Sequence, residues 1–88
     1  MEYVLDNGQI FVALTEAGGS FTSIKAGGRE YLWQGDPAGW AGQAPICFPI
    51  CGGLRDGRAM TRAGHEVNLA RHGFARKQEW KLEEQSEN

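Results

Sequence analysis

The first third of the chain alternates apolar and polar positions with the period of two that is typical of β-strands. This pattern predicts strands at residues 3–5, 10–14, 20–25 and 30–33. Turn signals separate them at Asn7-Gly8, at residues 15–19 and at Gly27-Gly28. Asn-Gly between two apolar runs is a strong hairpin signal, because both residues accept a positive φ. An antiparallel meander is therefore expected.

The middle of the chain predicts a loop and then a buried strand. Residues 34–46 are rich in Gly and Pro and carry Trp40, which either pins the loop to the domain or stacks on a sugar ring. Residues 46–51 (ICFPIC) are apolar throughout, as in an interior strand with both faces buried. Pro49 lacks an amide hydrogen, which indicates a bulge or an edge instead.

The last third predicts one hairpin and one final strand. Residues 58–61 and 66–69 flank Ala63-Gly64, and residues 78–84 alternate with Trp80 and Leu82 pointing inward. No window has the period of an amphipathic helix. The sequence therefore predicts an all-β, antiparallel fold.

Length and composition indicate one small domain with a marginal core. A chain of 88 residues buries about 60–65% of its unfolded surface, so a staple or a partner is expected to help stabilise it. The formal net charge of −2 gives no reason to expect binding to nucleic acid or to an anionic membrane. With no signal peptide and no apolar run of about 18 residues, a cytoplasmic location and reduced cysteines are expected.

Cys47, Cys51, His65 and His72 resemble a zinc finger only superficially. Their spacing lies outside the usual window, and a finger needs its histidines on a helix, which the nearby glycines disfavour. On a strand, the cysteine Cα atoms would lie roughly 13 Å apart, beyond disulfide reach. Buried, reduced cysteines are expected, with no metal site. A Cys-His nucleophile pair is also disfavoured, since no helix N-terminus lowers a thiol pKa.

The segment LARHGFARKQE contains the strongest candidate for a functional residue, His72. Its neighbour Gly73 lets the backbone approach another group closely, and Arg71 and Arg76 lie on either side. Neutral imidazole can donate to a sugar ring oxygen or accept from a hydroxyl. Arg76 could bind sugar hydroxyls through its planar fork or anchor the turn to a carboxylate.

Five blocks in order resemble the aldose 1-epimerase (galactose mutarotase-like) family. They are an N-terminal strand pair, then TSIK, EYLWQGDP, FPICGGLRDG and HGFAR. The resemblance implies a large antiparallel β-sandwich of which residues 1–88 are the N-terminal part. It also implies cofactor-free interconversion of the α and β anomers of an aldose, which is either free or phosphorylated. The family's catalytic glutamate base and histidine acid lie in later parts of the domain, so no catalytic residue is expected in this chain.

The same resemblance implies substrate contacts. His72 matches the family's early active-site histidine, with Arg76 and Trp40 as further candidates. A family arginine usually follows the FPI-x-G stretch, where this chain has Gly53. Arg55 lies two residues on and, in an extended segment, points to the same face.

These observations lead to three expectations. The chain is a single partial domain, 1–88, truncated and inactive alone. The alternative is a non-catalytic β module that binds a carbohydrate or a protein partner. In either case the apolar segment 46–50 and the sheet edges would be exposed in a monomer, so a homo-oligomer is expected.

Overall fold

An antiparallel sheet of four strands forms the first third of the protein. The computed structural model describes residues 1–87 and contains no α-helix within them. The strands are β1 (Glu2–Asp6), β2 (Ile10–Thr15), β3 (Phe21–Ala26) and β4 (Arg29–Glu30), paired in chain order. The predicted all-β meander is confirmed.

Side chains fix the turn between β1 and β2. The Oδ1 atom of Asn7 accepts hydrogen bonds from the amides of Gln9 (2.9 Å) and Ile10 (2.8 Å). The Asp6 carboxylate accepts one from the amide of Gly8 (2.9 Å), whose φ is 86°. The turn therefore forms where the Asn-Gly signal predicted it, with the positive φ that such turns require.

β4 ends at Glu30, although the sequence predicted a strand as far as Trp33. The Glu30 carboxylate accepts hydrogen bonds from the Ser23 hydroxyl and from the amides of Ile24 (2.8 Å) and Leu32 (3.1 Å). The Tyr31 amide still donates to the Ile24 carbonyl of β3 (2.8 Å), but the Leu32 amide has this local acceptor and so needs no partner on a neighbouring strand.

The second half of the chain has little regular structure. β5 (Arg58–Met60) and β6 (Glu66–Asn68) form the predicted hairpin. Two single-turn 3-10 helices, Arg55–Gly57 and Ala75–Lys77, precede and follow it. Apart from a few isolated bridges, turns and irregular backbone make up the rest of the described second half.

The prediction of a buried strand at residues 46–51 is wrong. This segment forms only an isolated parallel bridge between Phe48 and Gly73, and the Phe48 side chain is 58% exposed. The peptide bond between Phe48 and Pro49 is cis. Pro49 has no amide hydrogen to give to a neighbouring strand, so the apolar run does not extend into a ladder.

The predicted strand at residues 78–84 is also absent. Its start is held by two hydrogen bonds, from the Gly18 amide to the Gln78 carbonyl and from the Trp80 amide to the Glu16 carbonyl, both 2.8 Å. Trp80 and Leu82, expected to point inward, are 43% and 46% exposed. Within residues 1–87 the segment therefore pairs only at an isolated antiparallel bridge between Ala17 and Glu79, and its alternation does not extend this bridge into a strand.

The described residues bury very little apolar surface. Ala13 and Ala75 are their only buried hydrophobic residues. The accessible surface is 6956 Å², whereas a compact monomer of this mass exposes about 5,100 Å². The radius of gyration is 16.6 Å, against about 12 Å for a compact domain of this length. The chain is therefore flat and open, with extended apolar surface uncovered. None of its described helices is long and apolar enough to cross a membrane.

Candidate functional site

A tight turn presents His72. His72 has φ of 65° and Gly73 has φ of 72°, so two consecutive residues lie in the left-handed region. The His72 amide donates to the Gly52 carbonyl (2.7 Å), and the His72 carbonyl accepts from the Phe48 amide (3.2 Å). A non-glycine residue held at positive φ is uncommon and is often found at functional sites. These hydrogen bonds fix the position of the His72 backbone, from which the imidazole side chain projects.

Gly73 is required by a close backbone approach. A Cβ at this position would collide with the carbonyl group of Phe48. That same carbonyl accepts hydrogen bonds from the amides of Phe74 (2.9 Å) and Ala75 (3.2 Å). The expectation that the glycine beside His72 permits such an approach is confirmed, although the neighbour is protein backbone.

The imidazole of His72 is half-buried and has a defined tautomer. Its Nδ1 atom accepts a hydrogen bond of 2.8 Å from the Gly52 amide. A ring nitrogen that accepts a hydrogen bond carries no proton, so in the neutral ring the proton lies on Nε2. His72 therefore offers a single N–H donor on the far side of its ring, suitable for a hydroxyl or an ether oxygen.

Arg76 lies close to this turn. Its Nη2 atom donates to the carbonyl of Arg71 (3.1 Å), and its buried Nε has no hydrogen-bond partner among residues 1–87. The guanidinium group is near enough to Cys47 to lower the pKa of that thiol, although partial desolvation of the sulfur and the nearby Cys51 raise this pKa by more. His72 and Arg76 therefore border the same cysteine-containing segment.

The guanidinium group against Gly53 is that of Arg71. A Cβ at Gly53 would lie 3.6 Å from Nη2 of Arg71. Arg55 instead lines a separate depression beside β5 and β6, together with Arg58 and Glu66. Arg71, rather than Arg55, therefore places a guanidinium group next to Gly53. The sequence places Arg71 beside His72 but indicates no role for it.

Trp40 packs within its own loop. Its ring covers Gly42, where a Cβ would come within 2.5 Å of the ring, and its carbonyl accepts a hydrogen bond from Trp33 Nε1 (2.6 Å). The Trp40 residue remains 55% exposed. The structure records no contact between Trp40 and His72 within the described residues. The Trp40 ring is therefore accessible to solvent.

The cysteines do not lie where the sequence predicted. Cys47 and Cys51 are exposed and unpaired, and each places its sulfur within 4.8 Å of the other and of a His72 ring nitrogen. The expected separation of roughly 13 Å assumed a strand, and residues 46–51 do not form one. The signal that could have corrected this was Pro49 followed by Gly52-Gly53, which indicates a bend.

A depression of about 520 Å³ lies elsewhere, on the four-stranded sheet and the loop beside it. Polar side chains from the strands line it, including Glu2, Ser23 and Glu30. It contains none of the predicted site residues. Volume alone therefore does not identify the site here, and the chemistry of the His72 turn is the better guide.

Comparisons with known proteins agree with the family resemblance of the five sequence blocks. A family model described as aldose 1-epimerase matches residues 1–88. Protein LacX of Lactococcus lactis subsp. lactis is 48% identical over 93 aligned positions, which cover 100% of this chain and 31% of that protein. The chain therefore spans about a third of the length of the curated relatives it matches.

Solved structures share the fold. A galactose mutarotase related enzyme from Lactobacillus acidophilus superposes with a TM-score of 0.86 at 32% identity, covering 99% of this chain and 29% of that one. A galactose mutarotase-like protein from Lactobacillus casei gives 0.88 at 25% identity, covering 99% and 30%. Because the family model matches this chain from residue 1 to residue 88, the chain belongs to the aldose 1-epimerase family.

Proposed function

We propose that this protein serves the mutarotation of an aldose by contributing part of the sugar site. The observation that carries the proposal is the family match over the whole chain, which includes the turn that presents His72. Relatives of similar fold are described as galactose mutarotase related or galactose mutarotase-like. The substrate class is therefore an aldose, free or phosphorylated.

Mutarotation needs two proton transfers. A base takes the proton of the anomeric hydroxyl while an acid protonates the ring oxygen, and the bond between the anomeric carbon and the ring oxygen breaks. Rotation and the reverse steps give the other anomer. In the proposed role, the Nε2–H of His72 donates to a sugar oxygen. The acid and base come from the parts of the domain that this chain does not match.

Four further side chains are proposed as sugar contacts. Arg76 supplies a guanidinium beside the His72 turn, and Arg55 and Trp40 supply a cation and a ring face from other loops. Arg71 is added because its guanidinium lies against Gly53. Guanidinium groups bind pairs of hydroxyls and, more strongly, phosphate oxygens, so they suit a free or a phosphorylated sugar.

We further propose that residues 1–88 are a single partial domain without catalytic activity of its own. The small buried core supports this, because a sandwich that covers the open faces requires more chain. Polarimetry on the purified chain with α-glucose and α-galactose is expected to give the rate of buffer alone. A rate clearly above buffer that disappears in His72→Ala would overturn the claim of inactivity.

Sugar contact is tested separately by NMR titration with galactose. The His72 and Arg76 signals are expected to shift, and His72→Ala is expected to remove the response. His65→Ala is the matched control, because His65 is exposed on the turn of the β5–β6 hairpin and should leave the response unchanged. Equal responses in both variants, or none in the wild type, would contradict the proposed sugar site.

The second candidate function is a non-catalytic β module that binds a carbohydrate or a protein partner. The exposed ring of Trp40 favours it, since an accessible aromatic face stacks well on a pyranose. The coding sequence downstream of residue 88 separates the two functions. A continuing frame with a further histidine and a late glutamate supports the enzyme, and a stop codon followed by an unrelated gene supports the module.

The exposed apolar surface bears on assembly, and the free thiols bear on location. We propose a homo-oligomer that covers exposed residues such as Phe48 and Trp80, since large apolar patches and open sheet edges associate. Light scattering at micromolar concentration is expected to give at least a dimer, and a cooperatively melting monomer would contradict this. The free thiols of Cys47 and Cys51 support a cytoplasmic location.

A further inference from the structure

Three metal-ligating side chains converge beside the His72 turn. Cys47, Cys51 and His72 each offer one donor atom, and these atoms all lie within 4.8 Å of one another. It is the one such group formed by three or more His, Cys, Asp or Glu side chains in residues 1–87. Since His72 lies more than 20 positions from either cysteine, the fold brings these donors together.

Backbone hydrogen bonds hold the two segments against each other. The His72 amide donates to the Gly52 carbonyl (2.7 Å), next to Cys51. The Phe48 amide, next to Cys47, donates to the His72 carbonyl (3.2 Å). Both ends of the cysteine segment are therefore tied to the histidine turn.

The separation of the donors fits a tetrahedral thiophilic ion after a small contraction. With zinc bonds of about 2.3 Å to sulfur and about 2.0 Å to nitrogen, neighbouring donors lie about 3.5–3.8 Å apart. The donors here lie within 4.8 Å of one another before any ion is bound. A contraction of at most about 1.0–1.3 Å closes the site.

We propose that Cys47, Cys51 and His72 bind a thiophilic divalent metal ion such as zinc. Two thiolates balance the two charges of the ion, and the two thiol protons pass to solvent on binding. Cys51 is exposed, so the fourth position is open to water. The proposal departs from the sequence-based expectation of no metal, which rested on cysteines held apart by a strand.

Metal binding has a specific effect on the Gly52 amide. This amide donates to Nδ1 of His72 at 2.8 Å in the metal-free protein. An ion on Nδ1 would replace this donor directly. An ion on Nε2 would require the proton to lie on Nδ1, which then cannot accept. In either case the Gly52 amide loses its acceptor, so its NMR signal reports occupancy of the site.

The test uses cobalt(II) as the probe, with the purified chain kept reduced by a phosphine. We expect a thiolate-to-cobalt charge-transfer band that saturates at one ion per chain and is removed by added zinc. Cys47→Ser and Cys51→Ser should each abolish the band. His72→Ala should weaken binding by at least about tenfold. The Gly52 amide signal should shift as the band grows.

His65→Ala is the matched control and should bind cobalt like the wild type. An unfolded chain also binds metals through its cysteines and histidines, but there the two histidines would be equivalent. Equal effects of His65→Ala and His72→Ala, a band without a shift of Gly52, or one ion per two chains would each overturn the proposal, as would the absence of a band.

The metal site and the proposed sugar site share His72 but are tested separately. No sugar is present in the cobalt titration, so its failure leaves the mutarotase proposal intact. Conversely, a galactose titration that fails in metal-free protein does not affect the cobalt result. If both hold, zinc and sugar compete for the His72 ring, and zinc would weaken the galactose response in wild type but not in Cys51→Ser.

Discussion

The four-stranded sheet and the loop-rich second half are held together by different means. In the sheet, strands of five or six residues form continuous antiparallel ladders from β1 to β3, interrupted only by a register shift in β2 between Ala13 and Leu14. In the second half, the cysteine segment and the His72 turn are joined by single backbone hydrogen bonds and by close contacts at glycine. Many similar strand pairs stabilise the sheet, whereas a few individual contacts determine the structure of the second half.

This contrast has a consequence for substitutions. Many similar cross-strand pairs stabilise a sheet, so changing one side chain removes only a modest fraction of its stability. In the second half a single added methyl group can prevent a segment from reaching its neighbour. Functional precision and sensitivity to mutation are therefore expected in the same place, around His72.

Gly73→Ala should have the largest effect. The new methyl group would collide with the Phe48 carbonyl, and the residue would also be strained at its φ of 72°. We expect a loss of about 3 kcal/mol or more, enough to release the His72 turn. Hydrogen exchange at the Phe74 amide, which donates to the Phe48 carbonyl, measures it.

Gly64→Ala is the matched control. Gly64 has a φ of 86°, but no atom lies within 4 Å of the position that a Cβ would occupy, so only the strain of the positive φ remains. The expected loss is about 1 kcal/mol. Similar losses in the two variants would show that the close approach to Phe48 contributes little and that the comparison between the two regions is wrong.

The same contrast explains what the sequence could predict. Alternation and the Asn7-Gly8 turn are local signals, and they located β1, β2 and β3 within a few residues. The end of β4 depended on the Glu30 carboxylate reaching Leu32, which no pattern of hydrophobicity records.

Candidate site residues could be named from the sequence, but their arrangement in space could not. His72 and Gly73 were recognisable because glycine beside histidine in a polar turn has few structural uses. The approach of Cys47 and Cys51 to His72 is a tertiary contact between two irregular segments. Their apolar surroundings indicated a strand, and Pro49, which prevents one, was given too little weight.

Trp80→Ala should have the second largest effect, because Trp80 joins the two regions. Its ring lies against Gly19 in the turn after β2, and its Nε1 donates to the Ala75 carbonyl (3.1 Å). The residue is 43% exposed, so a loss of about 1–2 kcal/mol is expected, below that for a fully buried tryptophan. Denaturant unfolding followed by circular dichroism measures it.

Trp40→Ala provides the control of the same residue type. Trp40 packs on Gly42 in its own loop, so its removal should leave the melting transition of the sheet unchanged. If Trp40→Ala destabilised the sheet as much as Trp80→Ala, the link between the two regions would have to run through the 34–46 loop.

Glu30→Gln sharpens the comparison within the sheet. The Ser23 hydrogen bond, with smaller help from the Ile24 and Leu32 amides, lowers the pKa of Glu30. A carboxyl whose pKa is lower when folded stabilises the protein above its unfolded pKa, and this stability is lost as the pH falls through the folded pKa. The melting temperature of the wild type should therefore fall on acidification more than that of Glu30→Gln. The tail variant Glu84→Gln should follow the wild type, and parallel curves for all three proteins would contradict the role of Glu30.

The smallest effect is expected at the one exposed ion pair between side chains in residues 1–87. Arg58 and Glu66 lie 3.6 Å apart across the β5–β6 hairpin, with side chains 63% and 50% exposed. Solvent and salt screen such a pair, so a double-mutant cycle with Arg58→Ala and Glu66→Ala should give a coupling of under about 1 kcal/mol. The coupling should shrink further in 1 M salt, where the screening length is about 3 Å. A larger, salt-independent coupling would mean that this hairpin is stabilised by a specific contact, like the His72 turn, and that the second half contains two such positions.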